Sequence, residues 1–304
     1  MSISFFGASV TAQKDGYTHF FKNRYLKEYP NEQIWVHGYG GMHLFDAGII
    51  FIDEVIKNKP MYCFIDWFST GFIFTDSSHL IHLDTILYKL NQIKCIPIIL
   101  FLDRNPFEDK RKDMFELVKK YLDQHNIVYI DLVQQFDASK ILRDCIHTNP
   151  EGSELYGTYI FEKFTNIYKN HPHPYPLLDK IQSNKFCSIK KLIFKKQINK
   201  EISFEGNGTI MGIYQSIGPH STKCKIKETG EIIPIFDEWC HYDRFSLKIC
   251  NININGITTI QLENSDMKEL YDKCRKQQDW TNREQYLKTE FISYIGNISI
   301  KHYE

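Results

Sequence analysis

At 304 residues the chain is long enough for two domains, each with a core of its own. Its 37 Lys and Arg balance 37 Asp and Glu, so no global field draws it to nucleic acid or to an anionic membrane. No run reaches membrane-span length, no charged and then apolar leader opens the chain, and the eight Cys are scattered without a Cys-x-x-Cys pair; the reading is a reduced, cytoplasmic globular protein with no disulfide framework and no metal cluster.

The first apolar run, Ile3 to Phe6, stops at Gly7 and is followed by Ala8-Ser9-Val10-Thr11. Ser9 then stands at the carboxyl end of a strand, where open α/β sheets bind ligands, and also where a Ser simply caps the next helix. Residues from about Gln13 to Tyr29 carry Tyr17, Phe20, Phe21, Tyr25 and Leu26 at helical spacing, and Pro30 and Asn31 end that helix. Ile34-Trp35-Val36 is a short strand running into Gly38-Tyr39-Gly40-Gly41, which is too glycine-rich to continue it. Leu44 to Lys57 is helical again. Met61 to Trp67 is the continuous apolar run of a buried parallel strand, closed by Ser69-Thr70-Gly71.

A helix from about Ser78 to Ile93, a strand from Cys95 to Leu102 with Pro97 near its start, and a charged helix from Glu108 to His125 come next. Ile127 to Asp131 is the fifth strand. A loop carries Asp144-Cys145-Ile146-His147, and Asn149-Pro150-Glu151-Gly152 opens a last helix over about 153–168. Five strand–helix units predict a parallel sheet with helices on both faces. Right-handed crossovers bring every strand end to one edge, which gathers Ser9, Gly41, Ser69, Thr70 and His147.

These residues resemble the SGNH (GDSL-type) hydrolase superfamily over roughly residues 1–170. The family's Gly-Asp-Ser-x-Thr block stands here as Gly7-Ala8-Ser9-Val10-Thr11, its second-block glycine as Gly41, and its Asp-x-x-His block as Asp144-Cys145-Ile146-His147. Three departures stand out. Ala8 replaces the usual Asp, Met42 replaces the Asp after the glycine, and the third block, Asp66-Trp67-Phe68-Ser69-Thr70-Gly71, has no Asn. The resemblance implies a three-layer α/β/α, flavodoxin-like domain with a five-stranded parallel sheet. It implies Ser9 as nucleophile, His147 as base, Asp144 as the group that holds its tautomer, and no cofactor or metal. Backbone N–H groups of Ser9 and Gly41 would bind the oxyanion, with a Thr70 or Ser69 hydroxyl in the place of the missing Asn amide. Trp67, Ser69 and His43 are candidates to line a substrate pocket, and Trp67 and His43 also read as packing residues.

His171-Pro172-His173-Pro174-Tyr175-Pro176 breaks the pattern and opens a stiff linker over 171–184. From 185 to 304 short alternating strands predict a β-sandwich or jelly roll: Ser188–Phe194, Glu201–Phe204, Thr209–Tyr214, Lys223–Lys227, Ile232–Phe236, Arg244–Ile249, Thr258–Leu262, Phe291–Tyr294 and Ile298–His302. Gly206-Asn207-Gly208, Thr229-Gly230 and Asn255-Gly256 read as turns between them, and a charged helix is expected around 266–278. Such domains beside SGNH domains often resemble carbohydrate-binding modules. Two dense stretches, 217–220 and 237–244, could contact a sugar or make a domain contact.

The leading expectation is a serine-dependent O-acyl esterase acting on an acylated carbohydrate or small molecule. The alternatives are a sugar O-acyltransferase using an acyl donor at the same site, and a glycan-binding protein on a degenerate fold. No Gly-x-x-x-x-Gly-Lys-(Ser/Thr) stretch supports a nucleotide enzyme.

Overall fold

The protein's computed structural model describes residues 2–170, 178–194, 197, 198, 200–218, 221, 223–233, 243–263, 272 and 288–303. They fall into two compact units, Met1–Cys187 and Ser188–Glu304.

The first unit is built on a parallel sheet of β1 (Ser2–Gly7), β2 (Gln33–Gly38), β3 (Tyr62–Asp66), β4 (Ile96–Phe101) and β5 (Val128–Asp131), in the order β2-β1-β3-β4-β5. Every pairing is parallel. Residues of β3 and β4 are buried almost throughout, as strands covered on both faces must be. Pro97 precedes the first β4–β5 pair, Ile98 with Val128, so its missing N–H removes no bond from that ladder.

The helices are α1 (Ser9–Ala12), α2 (Tyr17–Glu28), α3 (Ile49–Lys57), α4 (Leu80–Gln92), α5 (Asp109–Gln124), α6 (Ala138–Ile141) and α7 (Pro150–Asn170). The helix expected from Gln13 to Tyr29 begins only at Tyr17, as α2, and the short α1 before it, separated by a turn through Gly16, was not expected. The helix expected at Leu44 begins as a π-helical turn, Leu44–Gly48, and α6 was not legible in the periodicity. On one face of the sheet Tyr17, Phe21 and Tyr25 of α2 and Tyr156, Ile160 and Phe164 of α7 pack with Ile3, Phe5, Phe64, Leu100 and Ile130. On the other face Lys89 of α4 pairs with Asp53 of α3 at 2.7 Å. Asn149 starts α7 by accepting the Gly152 N–H at 2.8 Å.

Residues 178–184 of the expected linker lie in this unit: Asn91 donates to Asp179 at 3.1 Å, and Thr85 to Asn184 at 3.1 Å. Residues 171–177 lie outside the described residues.

The second unit holds an antiparallel six-stranded sheet, ordered β6-β11-β7-β10-β8-β9. The strands are β6 (Lys190–Ile193), β7 (Glu201–Ile217), β8 (Lys223–Ile226), β9 (Ile232–Ile233), β10 (Arg244–Glu263) and β11 (Thr289–Tyr303). Here the short strands expected from sequence merge into long ones. The Gly206-Asn207-Gly208 and Asn255-Gly256 stretches do not reverse the chain but lie within β7 and β10, as Gly296 lies within β11. The glycines align across the sheet, Gly206 opposite Gly256 and Gly208 opposite Gly296. Gly206, Gly256 and Gly296 take φ of 139°, 85° and 102°, open to a residue without Cβ. The pairing of the three strands runs unbroken through these positions. Ile202 and Phe204 before this belt and Ile210 and Ile213 after it join one core with Ile254, Ile260, Ile292 and Ile298. The stretch expected to be helical around 266–278 lies outside the described residues apart from Asp272, as do 219, 220 and 237–242 of the two dense stretches.

A Cβ on Gly296 would lie 2.6 Å from the Asn207 carbonyl oxygen and 2.7 Å from the Gly208 Cα. Gly296→Ala is expected to destabilise this unit by about 1–3 kcal/mol, as overpacking does, read as an earlier transition in urea. An unchanged midpoint would refute the close approach.

Candidate active site

The chain leaves β1 toward β2 on one side and reaches β3 on the other, so the end of β1 is the point where the strand order reverses. Two backbone bonds hold this exit: Ala8 N–H donates to the Asp66 carbonyl at 3.0 Å, and Tyr39 N–H to the Gly7 carbonyl at 2.9 Å. Ser9 is the first residue of α1, half-buried, with Ala8 extended before it. Gly38 lets α1 lie against the end of β2, where any Cβ would run into Ala12.

Four of the sequence-predicted groups meet or flank this point. His147 Nε2 lies 2.9 Å from Ser9 Oγ, across 138 residues of chain. His147 Nδ1 lies 2.9 Å from Asp144 Oδ2 and 3.1 Å from Oδ1. A proton on Nδ1 directed at the carboxylate leaves Nε2 as an acceptor for the Ser9 hydroxyl. The geometry is local in origin. Asp144 Oδ1 also accepts the backbone N–H groups of Ile146, at 2.9 Å, and His147, at 2.8 Å, which curls the segment so that one loop presents both side chains. Burial alone would raise the Asp144 carboxyl; those two N–H groups and the imidazole outweigh it and hold the group below the usual carboxylate range. Gly41 stands exposed in the loop after β2 with φ 69°.

The remaining candidates are placed differently. Thr70 is 6% exposed and its hydroxyl donates to the Trp67 carbonyl at 3.4 Å. The Ser69 hydroxyl is fully buried and donates to Asp66 at 2.6 Å. Trp67 is 1% exposed, packed edge-on to Phe6 and stacked on Tyr39, so its ring belongs to the core and walls no open pocket. His43 is half-buried on Phe45, and burial pushes its imidazole below the ordinary value.

The strand-end position of Asp66 beside the site was legible in the sequence; its partners, and the roles of the arginines and glutamine below, were not. Asp66 is fully buried and accepts from Thr11 at 3.0 Å as well as from Ser69, while Thr11 Oγ1 also lies 2.9 Å from the Tyr17 hydroxyl. One carboxylate thereby joins the helix behind Ser9 to the loop before Thr70. Arg104 donates to the Ser69 carbonyl at 2.8 Å, and Arg111, itself fully buried, donates to the Phe68 carbonyl at 2.8 Å. Gln13 donates to the Thr148 carbonyl at 3.1 Å and ties the end of α1 to the histidine loop. A signal existed for Asp66 and Arg104: each is a charged residue at or just past the carboxyl end of a buried strand. Among the described residues no three His, Cys, Asp or Glu side chains gather as a metal site, and no helix is long and apolar enough to cross a membrane.

The five-stranded parallel sheet followed by an antiparallel β domain is a two-domain fold shared with solved structures. Both parts align with a two-domain esterase (CEX) active on acetylated mannans, at 12% identity and TM-score 0.67, covering 97% of this chain and 91% of that one. A second structure of that esterase, co-crystallised with mannopentaose, aligns at 13% identity and TM-score 0.65 over 100% of this chain and 92% of that one. No family model and no curated protein matches the chain.

Burial raises the Asp66 carboxyl from 3.8 to about 6, so the folded protein holds this proton more tightly than the unfolded chain does. Stability is expected to fall as pH rises from about 4 through about 6, by about 3 kcal/mol when ionisation is complete. In urea titrations between pH 4 and 7, Asp66→Asn should gain that amount on the parent protein. Parallel pH curves for the two would count against a poorly solvated carboxylate at this place.

Proposed function

We propose that the protein is a serine-dependent O-acyl esterase whose substrate is an O-acetylated carbohydrate. The observation that carries this reading is the continuous Asp144–His147–Ser9 hydrogen-bond chain at the strand edge. The two-domain likeness to an esterase active on acetylated mannans supports the substrate class.

The steps follow from the geometry. His147 Nε2 takes the Ser9 proton as Oγ attacks the ester carbonyl, and Asp144 stabilises the imidazolium that forms. The Ser9 N–H, at the start of α1, has no partner one turn back in its own helix and can face the oxyanion together with the Gly41 N–H. Collapse of the adduct breaks the bond to the alkoxy oxygen, which takes the proton back from His147 and leaves as the sugar hydroxyl. Water then repeats the sequence on acyl-Ser9 and releases the carboxylic acid.

The Thr70 hydroxyl is engaged with Trp67, and the Ser69 hydroxyl with Asp66. The oxyanion is therefore assigned two backbone donors, and a missing third donor of the usual kind costs about 3–4 kcal/mol of barrier. A slow hydrolase is the consequence. Replacement of water by a sugar hydroxyl on the same acyl-enzyme would make it an acyltransferase, and an assay with added sugars separates the two.

The test is intact mass after exposure to a fluorophosphonate. One adduct is expected on the parent protein, none on Ser9→Ala, and greatly slowed labelling on His147→Ala. A folded parent protein that takes no adduct would overturn the reading. Asp144→Asn is expected to lower kcat for acetyl ester hydrolysis on the order of 10³-fold or more with KM little changed, because the imidazole loses its tautomer. A loss under tenfold would remove Asp144 from the catalytic set.

A further inference from the structure

The rings that follow the loops after β2 and β3 form one contiguous cluster. His43 stacks on Phe45 with centroids 5.4 Å apart, Phe45 meets Phe72 at 4.5 Å, and His43 lies 6.0 Å from Phe72. Phe74 and His79 back Phe72 at 6.1 and 5.4 Å. His43, Phe45 and Phe72 each keep part of their surface accessible. The depressed value of His43 keeps its ring neutral at neutral pH, so the accessible surface of all three is uncharged.

Their place in the chain ties them to the site. His43 stands two residues after Gly41, and Phe72 two residues after Thr70. The strand order sets the loops after β2 and β3 on the two sides of the loop that carries Ser9. These flanking loops meet through their rings, and the Leu44–Gly48 turn after the first packs against α3 and α4. His147 enters from the opposite side, on the segment leading into α7, which covers the other face with α2.

We propose that Phe72, Phe45 and His43 wall the acyl side of the site and restrict the acyl group to acetyl. This rests on the serine-esterase reading above. In the tetrahedral adduct the former carbonyl carbon carries Ser9 Oγ, the oxyanion, the leaving alkoxy oxygen and the acyl chain. The leaving oxygen must face His147 Nε2 to receive its proton, and the oxyanion faces the backbone N–H groups. The chain is left to run away from His147, toward the rings. Rings already in contact with one another admit each added methylene only by moving, and one methylene in a tight apolar pocket is worth roughly tenfold or more in kcat/KM.

The experiment measures kcat/KM for p-nitrophenyl acetate, propionate, butyrate and hexanoate with the full chain, Phe72→Ala, Phe45→Ala and, in parallel, Ser9→Ala. The parent protein is expected to favour acetate over butyrate by about 100-fold, two methylenes at roughly tenfold each, and each ring variant to raise the butyrate-to-acetate ratio by roughly tenfold. Phe72→Leu and Phe45→Leu shift the ratio the same way by less, and they decide the matter if an Ala variant does not fold. A fixed ratio in folded variants that retain Ser9-dependent turnover overturns the wall alone, as does a parent protein that prefers butyrate. Absence of Ser9-dependent turnover on every ester overturns the esterase reading and the wall together.

Discussion

The first unit depends on β1 pairing in parallel with β2 and β3 at once. That double pairing puts the carboxyl end of β1 at the reversal of strand order, with a loop from each neighbour beside it. Backbone bonds from Ala8 to Asp66 and from Tyr39 to Gly7 then fix Ser9 relative to both loops before any side chain is considered. The histidine comes from the far end of the unit's sequence. It reaches Ser9 because Asp144 curls its own loop and Gln13 anchors the backbone beyond it. A hydrogen bond spanning 138 residues is thus the product of several short-range ones.

Around this point the chain uses buried charge where the family pattern has amide and carboxylate side chains. Ala8 stands in the nucleophile block where the pattern has Asp, and the third block has no Asn. Yet Asp66 reaches from under the same turn to Thr11 and Ser69, and the guanidiniums of Arg104 and Arg111 hold the carbonyls of Ser69 and Phe68. Buried charge is costly unless paired and hydrogen-bonded. Asp66 and Arg111 are fully buried and Arg104 half-buried, and each makes at least one hydrogen bond to the loop after β3. The loop after β3 is therefore held by its backbone and by Ser69, with Thr70 turned inward.

In the β unit the sheet stays continuous through a belt of aligned glycines. A turn and a bend share the same local chemistry, since both need residues at positive φ. Gly206, Gly256 and Gly296 would each pass for a turn in isolation. Only their alignment inside the unbroken pairing of three neighbouring strands shows that none of them reverses the chain.

By itself the sequence determined the order and type of the first unit's strands, because buried parallel strands are continuous apolar runs and their covering helices carry a clear apolar face. It also named the candidate nucleophile, base and carboxylate, through the resemblance carried by three short blocks, since such blocks are local facts. It did not reveal the merging of the short β strands or the roles of Asp66, Arg104 and Arg111. Those rest on pairings between residues dozens of positions apart, which no local pattern records. Tertiary structure alone decided that Trp67 is core, that the Ser69 and Thr70 hydroxyls turn inward, and that rings from the segments after β2 and β3 meet. In each case the deciding quantity is which neighbours surround a side chain, and that exists only once the chain has folded.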